Sequence, residues 1–172
     1  MLVLKHKSAG FTLIEMMIVV VIMAIVSSIA YPSFRDMIIN SQVRNATESI
    51  VNGLQKARAE AVARNTNVSF TLGAATSWTV SVVNPASTIE ARNSNEGSAI
   101  VTLTAVASDL VTAATSVTFN NFGGIVNPAT DIARLDFTAP NASKPLRVQI
   151  LAGGTARMCD PSLAIATNPR GC

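Results

Sequence analysis

The chain has 172 residues, with 13 Lys and Arg against 10 Asp and Glu for a formal net charge of +3, two cysteines and one histidine. That length suits one modest domain with an anchor, and a second domain is not expected. The lone imidazole, His6, lies near the N-terminus, which removes the enzyme designs that need a histidine as base, triad member or metal ligand deeper in the chain.

The first predicted element is a membrane span. Phe11 to Tyr31 is a mostly apolar run, with unbroken Met, Ile, Val and Ala from Met16 to Val26. At ~1.5 Å per residue its 21 residues cover the roughly 30 Å of a bilayer core. Lys5, His6 and Lys7 precede it, so the positive-inside bias keeps the N-terminus cytoplasmic and puts everything after Tyr31 outside. Glu15 sits within this run. A charge near the hydrocarbon core costs about 2.5–3.5 kcal/mol on insertion scales, so a carboxylate there is a functional residue in need of a partner. The rival reading is a secretory signal peptide cut after Ser28-Ile29-Ala30, which would leave Tyr31 first. Glu15 and the Gly10-Phe11 junction, placed before the apolar run, argue against it.

Helical periodicity continues beyond the span. Val43, Ala46, Ile50, Leu54, Ala57 and Ala61 recur at spacings of three and four and form one apolar stripe. Arg44 with Glu48, Lys56 with Glu60 and Glu60 with Arg64 form i,i+4 pairs on the outer face. The pattern predicts one helix from about Phe11 to Arg64. Pro32 lacks an N–H and clashes with the preceding turn, so a kink is expected there, with Ser33-Phe34-Arg35-Asp36 able to cap a fresh start. Ala24 and Ser28 form a small-xxx-small pair that lets helices approach closely.

After Asn65 the composition shifts to Thr, Ser, Val, Asn and Gly and the period falls towards two. Strands are expected at Val68 to Leu72, Trp78 to Val83, Ala99 to Ala105, Ser116 to Asn120, Arg134 to Thr138, Leu146 to Leu151 and Thr155 to Met158. Gly73 to Ser77, Asn121 to Gly124 and Gly153-Gly154 supply turns, the last read as a primed hairpin turn. Asn84 to Gly97 and Thr138 to Pro145 read as loops. A helix whose stripe faces a mostly antiparallel sheet, with no alternating βα units, is an α+β arrangement shaped like a lollipop. Phe70 and Trp78 are expected to pack the sheet against the helix.

Cys159 and Cys172 bracket a Pro-containing segment. An exported domain can oxidise them, and closing a loop of that length would contribute roughly 3 kcal/mol on the chain-entropy model. A staple is the preferred reading, with a redox or metal role as the alternative. No CxxC, GxSxG, GxxxxGK or HExxH occurs, and Glu48, Glu60, Glu90, Glu96, Asp109, Asp131, Asp136 and Asp160 are scattered. An enzyme is not expected, and neither a cofactor nor a metal site is implied.

Lys7-Ser8-Ala9-Gly10-Phe11-Thr12-Leu13-Ile14-Glu15 resembles the class III signal of type IV prepilins and type II secretion pseudopilins. The resemblance implies cleavage by a prepilin peptidase between Gly10 and Phe11, N-methylation of Phe11, and neutralisation of a neighbouring subunit's Phe11 ammonium by Glu15. Burying the two charges together offsets a desolvation penalty that neither could bear alone. The implied organisation is a leader at residues 1–10, a transmembrane and assembly helix at 11–31, the amphipathic half of the helix at 32–65 and a β-rich globular domain at 66–172. Loss of the leader with Lys5 and Lys7 leaves 11 basic against 10 acidic side chains, so net charge does not argue for a nucleic-acid partner.

The segments Gly154 to Pro161 and Asn168 to Cys172 resemble the ending of the FimT/FimU minor pilins, which share a domain type with the H-type pseudopilin. The helix-end run Leu54 to Ala61 is similar to that group as well. The resemblance implies a pilus tip or near-tip subunit that primes assembly in the bacterial inner membrane, with its globular domain periplasmic. Its partners would be other minor pilins, the major pilin and the inner-membrane assembly platform. Two alternatives accompany it. One is a type II secretion pseudopilus tip component. The other is DNA capture in natural transformation, because some FimT-type proteins bind DNA through a Gly-Arg-x-Arg motif. Here Gly154-Thr155-Ala156-Arg157 replaces the first arginine with Thr155. Arg134, Lys144, Arg147, Arg157 and Arg170, against Asp136 and Asp160, form the basic set for phosphate contacts, and with Phe137 the only nearby aromatic a base-stacking platform is not expected.

Overall fold

The computed structural model describes residues 10–96 and 98–172. Lys5, His6, Lys7 and the rest of the expected leader before Gly10 lie outside the described residues. The chain divides into two compact units, one ending at Met37 and the other spanning Ile38–Cys172.

The first unit is formed by the start of helix α1, which runs Leu13–Arg64. Thr12 caps it: the Thr12 hydroxyl accepts a bond from the Glu15 N–H at 3.3 Å, and its carbonyl accepts from the Met16 N–H at 3.2 Å. Thr12 and Glu15 have the spacing of a capping box, in which the first turn's unpaired donors find an oxygen. Every described residue before Ile39 is exposed. Helical structure is continuous through Pro32, so the fresh start expected at Ser33 to Asp36 does not occur. Pro32 removes one intrahelical donor, and the turns on either side keep theirs.

In the second unit the stripe becomes core. Val43, Ala46, Ile50, Leu54, Ala57 and Ala61 are all buried. The outer face carries Arg44–Glu48 at 2.8 Å and Arg64–Glu60 at 2.6 Å. Lys56 does not pair with Glu60 as expected; it reaches Glu90 on a strand, a partner that only folding supplies. The helix ends on Asn65 with a φ of 51°, where the Thr66 N–H bonds the Ala61 carbonyl and the Asn65 N–H bonds the Val62 carbonyl. This left-handed exit satisfies the last carbonyls.

Among the described residues eight strands follow: β1 Val68–Leu72, β2 Trp78–Val82, β3 Ser87–Arg92, β4 Thr102–Val106, β5 Ser116–Phe119, β6 Arg134–Thr138, β7 Leu146–Ile150 and β8 Ala156–Cys159. They divide into two four-stranded sheets, ordered β3-β2-β1-β5 and β4-β6-β7-β8, with every pairing antiparallel. The α+β class stands, with two sheets in place of one. The region read as a loop from Asn84 to Gly97 contains β3. Its sequence, Ser87-Thr88-Ile89-Glu90-Ala91-Arg92, is that of an edge strand wetted on both sides, so apolar alternation is weak there. The stretch expected as a strand from Ala99 begins instead at Thr102.

The turn at Gly153-Gly154 also differs from expectation. Only Gly154 has a positive φ, 78°, and the Gly154 N–H bonds the Leu151 carbonyl at 2.7 Å while the Leu151 N–H bonds the Thr155 carbonyl at 3.0 Å. This is a three-residue hairpin loop closed by one left-handed glycine.

The core holds Phe70, Phe119, Phe137, Ile132, Leu135 and Val148 with the helix stripe. Phe70 and Trp78 stack in a tilted arrangement at 5.7 Å between ring centres. A Cβ at Gly53 would lie 2.8 Å from the Phe70 ring and 3.2 Å from Trp78, so the bare backbone of α1 is what lets both aromatics against the helix. The Trp78 indole N–H donates to Ser49 Oγ at 2.9 Å.

Candidate functional site

The two groups of residues that the sequence marks, the N-terminal motif and the basic set, lie in different settings. At the N-terminal end, Gly10, Phe11 and Glu15 are all exposed, and Phe11 retains 78% of its accessible surface. Among the described residues Glu15 has no ion-pair partner. From Leu13 to Val26 every large apolar side chain is exposed. An exposed apolar surface of that length is stable only against lipid or against other helices of the same kind.

Most of the basic set gathers about one face of the second sheet. Arg134 and Arg147 sit on neighbouring strands and share one acid: Arg147 Nε donates to Asp136 Oδ1 at 2.6 Å, and Arg134 Nε lies 3.0 Å from Asp136 Oδ2. The second contact has the distance of an ion pair without the alignment of a hydrogen bond, which leaves Arg134 Nε buried and poorly satisfied. Arg157 lies opposite Gln149, which itself lies opposite Arg134, so the three arginines belong to one face of the second sheet. Its guanidinium is spent on the chain's own end: Nη2 donates to the carbonyls of Pro169 at 3.1 Å and Gly171 at 2.9 Å. Lys144 and Arg170 are exposed on loops beside this row: Arg170 lies between the two residues whose carbonyls Arg157 engages, and the Lys144 charge helps to depress Asp160. Phe137 is fully buried and offers no ring to a base.

Cys159 and Cys172 form a disulfide with a Cα separation of 5.2 Å. Together with the Arg157 bonds and the Asp160–Arg170 backbone bond at 2.7 Å, it ties the last strand to the C-terminus. Asp160 is held below the usual carboxylate range by the Ser162 hydroxyl and then the Ser162 N–H. Asp109 is likewise depressed, first by the Thr112 hydroxyl and then by the N–H groups of Val111 and Thr112. Lys56 is raised by its bond and charge interaction with Glu90. All three shifts come from local turns or pairs on the surface and none marks a catalytic site. Among the described residues no cluster of His, Cys, Asp or Glu could hold a metal.

One arrangement was not legible in the sequence. Arg58 on α1 donates from Nε to the Gly123 carbonyl at 2.9 Å, and Gly154 packs against that same carbonyl so closely that a Cβ would lie 2.0 Å from it. The helix and the turns after β5 and β7 thus meet through two glycines and one arginine. The glycines were visible as turn residues, but nothing local named Arg58 as their partner.

Comparison with known proteins matches the N-terminal segment and most of the domain beyond it. Residues 5–31 match the prokaryotic N-terminal methylation motif, and residues 46–154 match the type II transport protein GspH family. No curated protein matched the chain. Two crystal structures of the type IV minor pilin FimU from Pseudomonas aeruginosa strain PAO1 share the fold. One, in space group P65, has 19% identity and a TM-score of 0.51, with 70% of this chain and 95% of the crystallised chain covered. The other, in P21, has 18% identity and a TM-score of 0.53, with coverage of 72% and 92%. With a methylation motif at the head of its apolar helix and a GspH match over more than half its length, the chain belongs to the GspH family of minor pilins and pseudopilins.

Proposed function

We propose that this protein is a tip or near-tip minor pilin that primes type IV pilus assembly through α1, after cleavage between Gly10 and Phe11 and methylation of Phe11. In this reading the N-terminus starts in the cytoplasm, residues 11–31 cross the inner membrane and the domain beyond is periplasmic. The observation that carries it is the wholly exposed apolar stretch of α1 from Leu13 to Tyr31, which bears a single carboxylate, Glu15, four residues beyond the expected new amine. Such a carboxylate in hydrocarbon is stabilised by a charge from a second chain, and the Phe11 ammonium of a neighbour is that charge. The function is placement within a fibre and involves no turnover.

The test is incorporation. Glu15→Ala in the full-length protein is expected to reduce its amount in sheared, purified fibres by at least about tenfold, the scale of a lost buried charge pair. Wild-type incorporation would remove the reading. N-terminal sequencing of the mature chain separates methylated Phe11 from the Tyr31 expected of a cleaved secretory peptide. A pseudopilus tip would use the same anchor and fold, and it predicts that the subunit follows the secretion machinery when pilus genes are deleted. The DNA reading draws less support, because Arg134 and Arg147 share Asp136 and Arg157 is engaged with the C-terminal loop.

A further inference from the structure

Edge strands carry unpaired backbone groups, and native sheets protect them with charge, cover or irregularity. Three of the four edges here follow that rule. β3 carries Glu90 and Arg92. β5 is covered by the following loop, whose Val126 and Ile132 N–H groups bond the carbonyls of Thr118 and Ser116. β8 carries Arg157 and the disulfide loop. β4, Thr102-Leu103-Thr104-Ala105-Val106, has no charge, proline or bulge.

This unprotected edge lines a cleft of about 480 Å³ between the two sheets, walled by Leu72 and Gly73 on one side, residues 101–105 on the other, and residues 113–115 between them. No charged residue lines it. In an antiparallel ladder each residue sends its N–H and C=O to the same side, and successive residues alternate. The Val106 carbonyl accepts from the Ala133 N–H at 2.9 Å on the β6 side. On the cleft side the Ala105 carbonyl accepts from the Ala114 N–H at 3.2 Å and the Ala107 N–H donates to the Thr112 carbonyl at 2.9 Å. By that alternation the Leu103 N–H and carbonyl, and the Ala105 N–H, face the cleft with no partner among the described residues. Thr112 to Ala114 therefore begin a strand beside β4 and then leave it for β5, so the ladder stops while the edge continues.

An uncharged cleft lined by Thr102, Thr104 and Thr115 and by backbone dipoles in strand register is complementary to another extended, uncharged backbone. We propose that β4 accepts an extended, uncharged segment of a neighbouring pilin-type subunit by antiparallel strand addition, continuing the ladder begun by Thr112 to Ala114. Leu72, Val101 and Leu103 receive its apolar side chains, and the small Gly73 and Ala113 leave room for its backbone. The proposal rests on the assembly reading only for the source of the segment.

The full-length protein in detergent micelles, with the capped peptide acetyl-Thr-Val-Thr-Val-Thr-amide as probe, tests it by amide hydrogen exchange. Exchange at Leu103 and Ala105 is expected to slow at least about tenfold, as for newly paired strand amides. The same peptide N-methylated at alternate residues should give no slowing. Ala113→Lys, which places a charge at an exposed position of the cleft, should abolish it. Leu103→Pro removes one edge donor without touching the ladder to β6 and should abolish it too. No slowing with the capped peptide, or equal slowing with the N-methylated one, would each overturn the proposal. Fibre incorporation of the same variants separates the two readings. Full incorporation of A113K with unprotected amides ends the cleft proposal and leaves assembly through Glu15 standing. Full incorporation of E15A ends the assembly reading and leaves the peptide result untouched.

Discussion

Gly154 has a φ of 78°, and a Cβ there would lie 2.0 Å from the Gly123 carbonyl oxygen. Gly154→Ala is therefore expected to cost about 1–3 kcal/mol, read as a lowered midpoint in thermal melting of the full chain. Ser49→Ala leaves the buried Trp78 indole N–H without its acceptor and should cost about 1–3 kcal/mol in the same measurement, with a shift in Trp78 fluorescence. Asp109 titrates below its ordinary value of 3.8 because three donors hold its charged form. A depressed carboxylate stabilises the native turn above the unfolded value and loses that contribution as pH falls through the native one. Exchange at the Val111 and Thr112 amides should thus accelerate, relative to a neutral-pH control corrected for intrinsic rates, only below pH 3.8. At this scale Glu15 was legible, since a lone acid in an apolar run stands out without any partner. The engagement of Arg157 was not, because its acceptors are backbone carbonyls of Pro169 and Gly171.

Helix α1 was legible almost to the residue, because a stripe repeating every three or four positions is a local pattern and its burial follows from the pattern alone. The strands were legible where one face is buried, as in β1 and β2, whose alternate residues Val68, Phe70, Trp78, Val80 and Val82 are all core. β3 escaped notice for the converse reason: it is held by pairing to β2 and by the Lys56–Glu90 bond, with little apolar signal of its own. The disulfide acts at the same scale. Cys159→Ser with Cys172→Ser is expected to lower stability by about 3 kcal/mol by the loop-closure argument. Limited proteolysis should then cut between Asp160 and Arg170 before the rest of the domain opens. Arg157→Ala should sensitise that segment in the same assay, since it removes the two bonds that hold Pro169 and Gly171.

The described residues up to Ile38 bury nothing within the chain, whereas the core begins at Ile39 and Val43. A fragment 38–172 is expected to melt cooperatively, with a midpoint close to that of the same domain in the full chain. A fragment starting after Ile50 lacks Val43, Ala46 and Ile50, each of which costs about 2–5 kcal/mol or, for alanine, less when removed, and should not fold. Calorimetry of the two fragments checks both outcomes. The membrane-length apolar run, its single acid, the amphipathic continuation and the β character of the remainder could all be read from the linear chain, because each is a statement about spacing between near neighbours. The division of eight strands into two sheets, the transfer of Lys56 from Glu60 to Glu90, the shared Asp136 and the open edge of β4 needed the folded molecule. Each depends on which distant segments lie side by side, and that choice is made by burial of the common core rather than by any one segment's own preference.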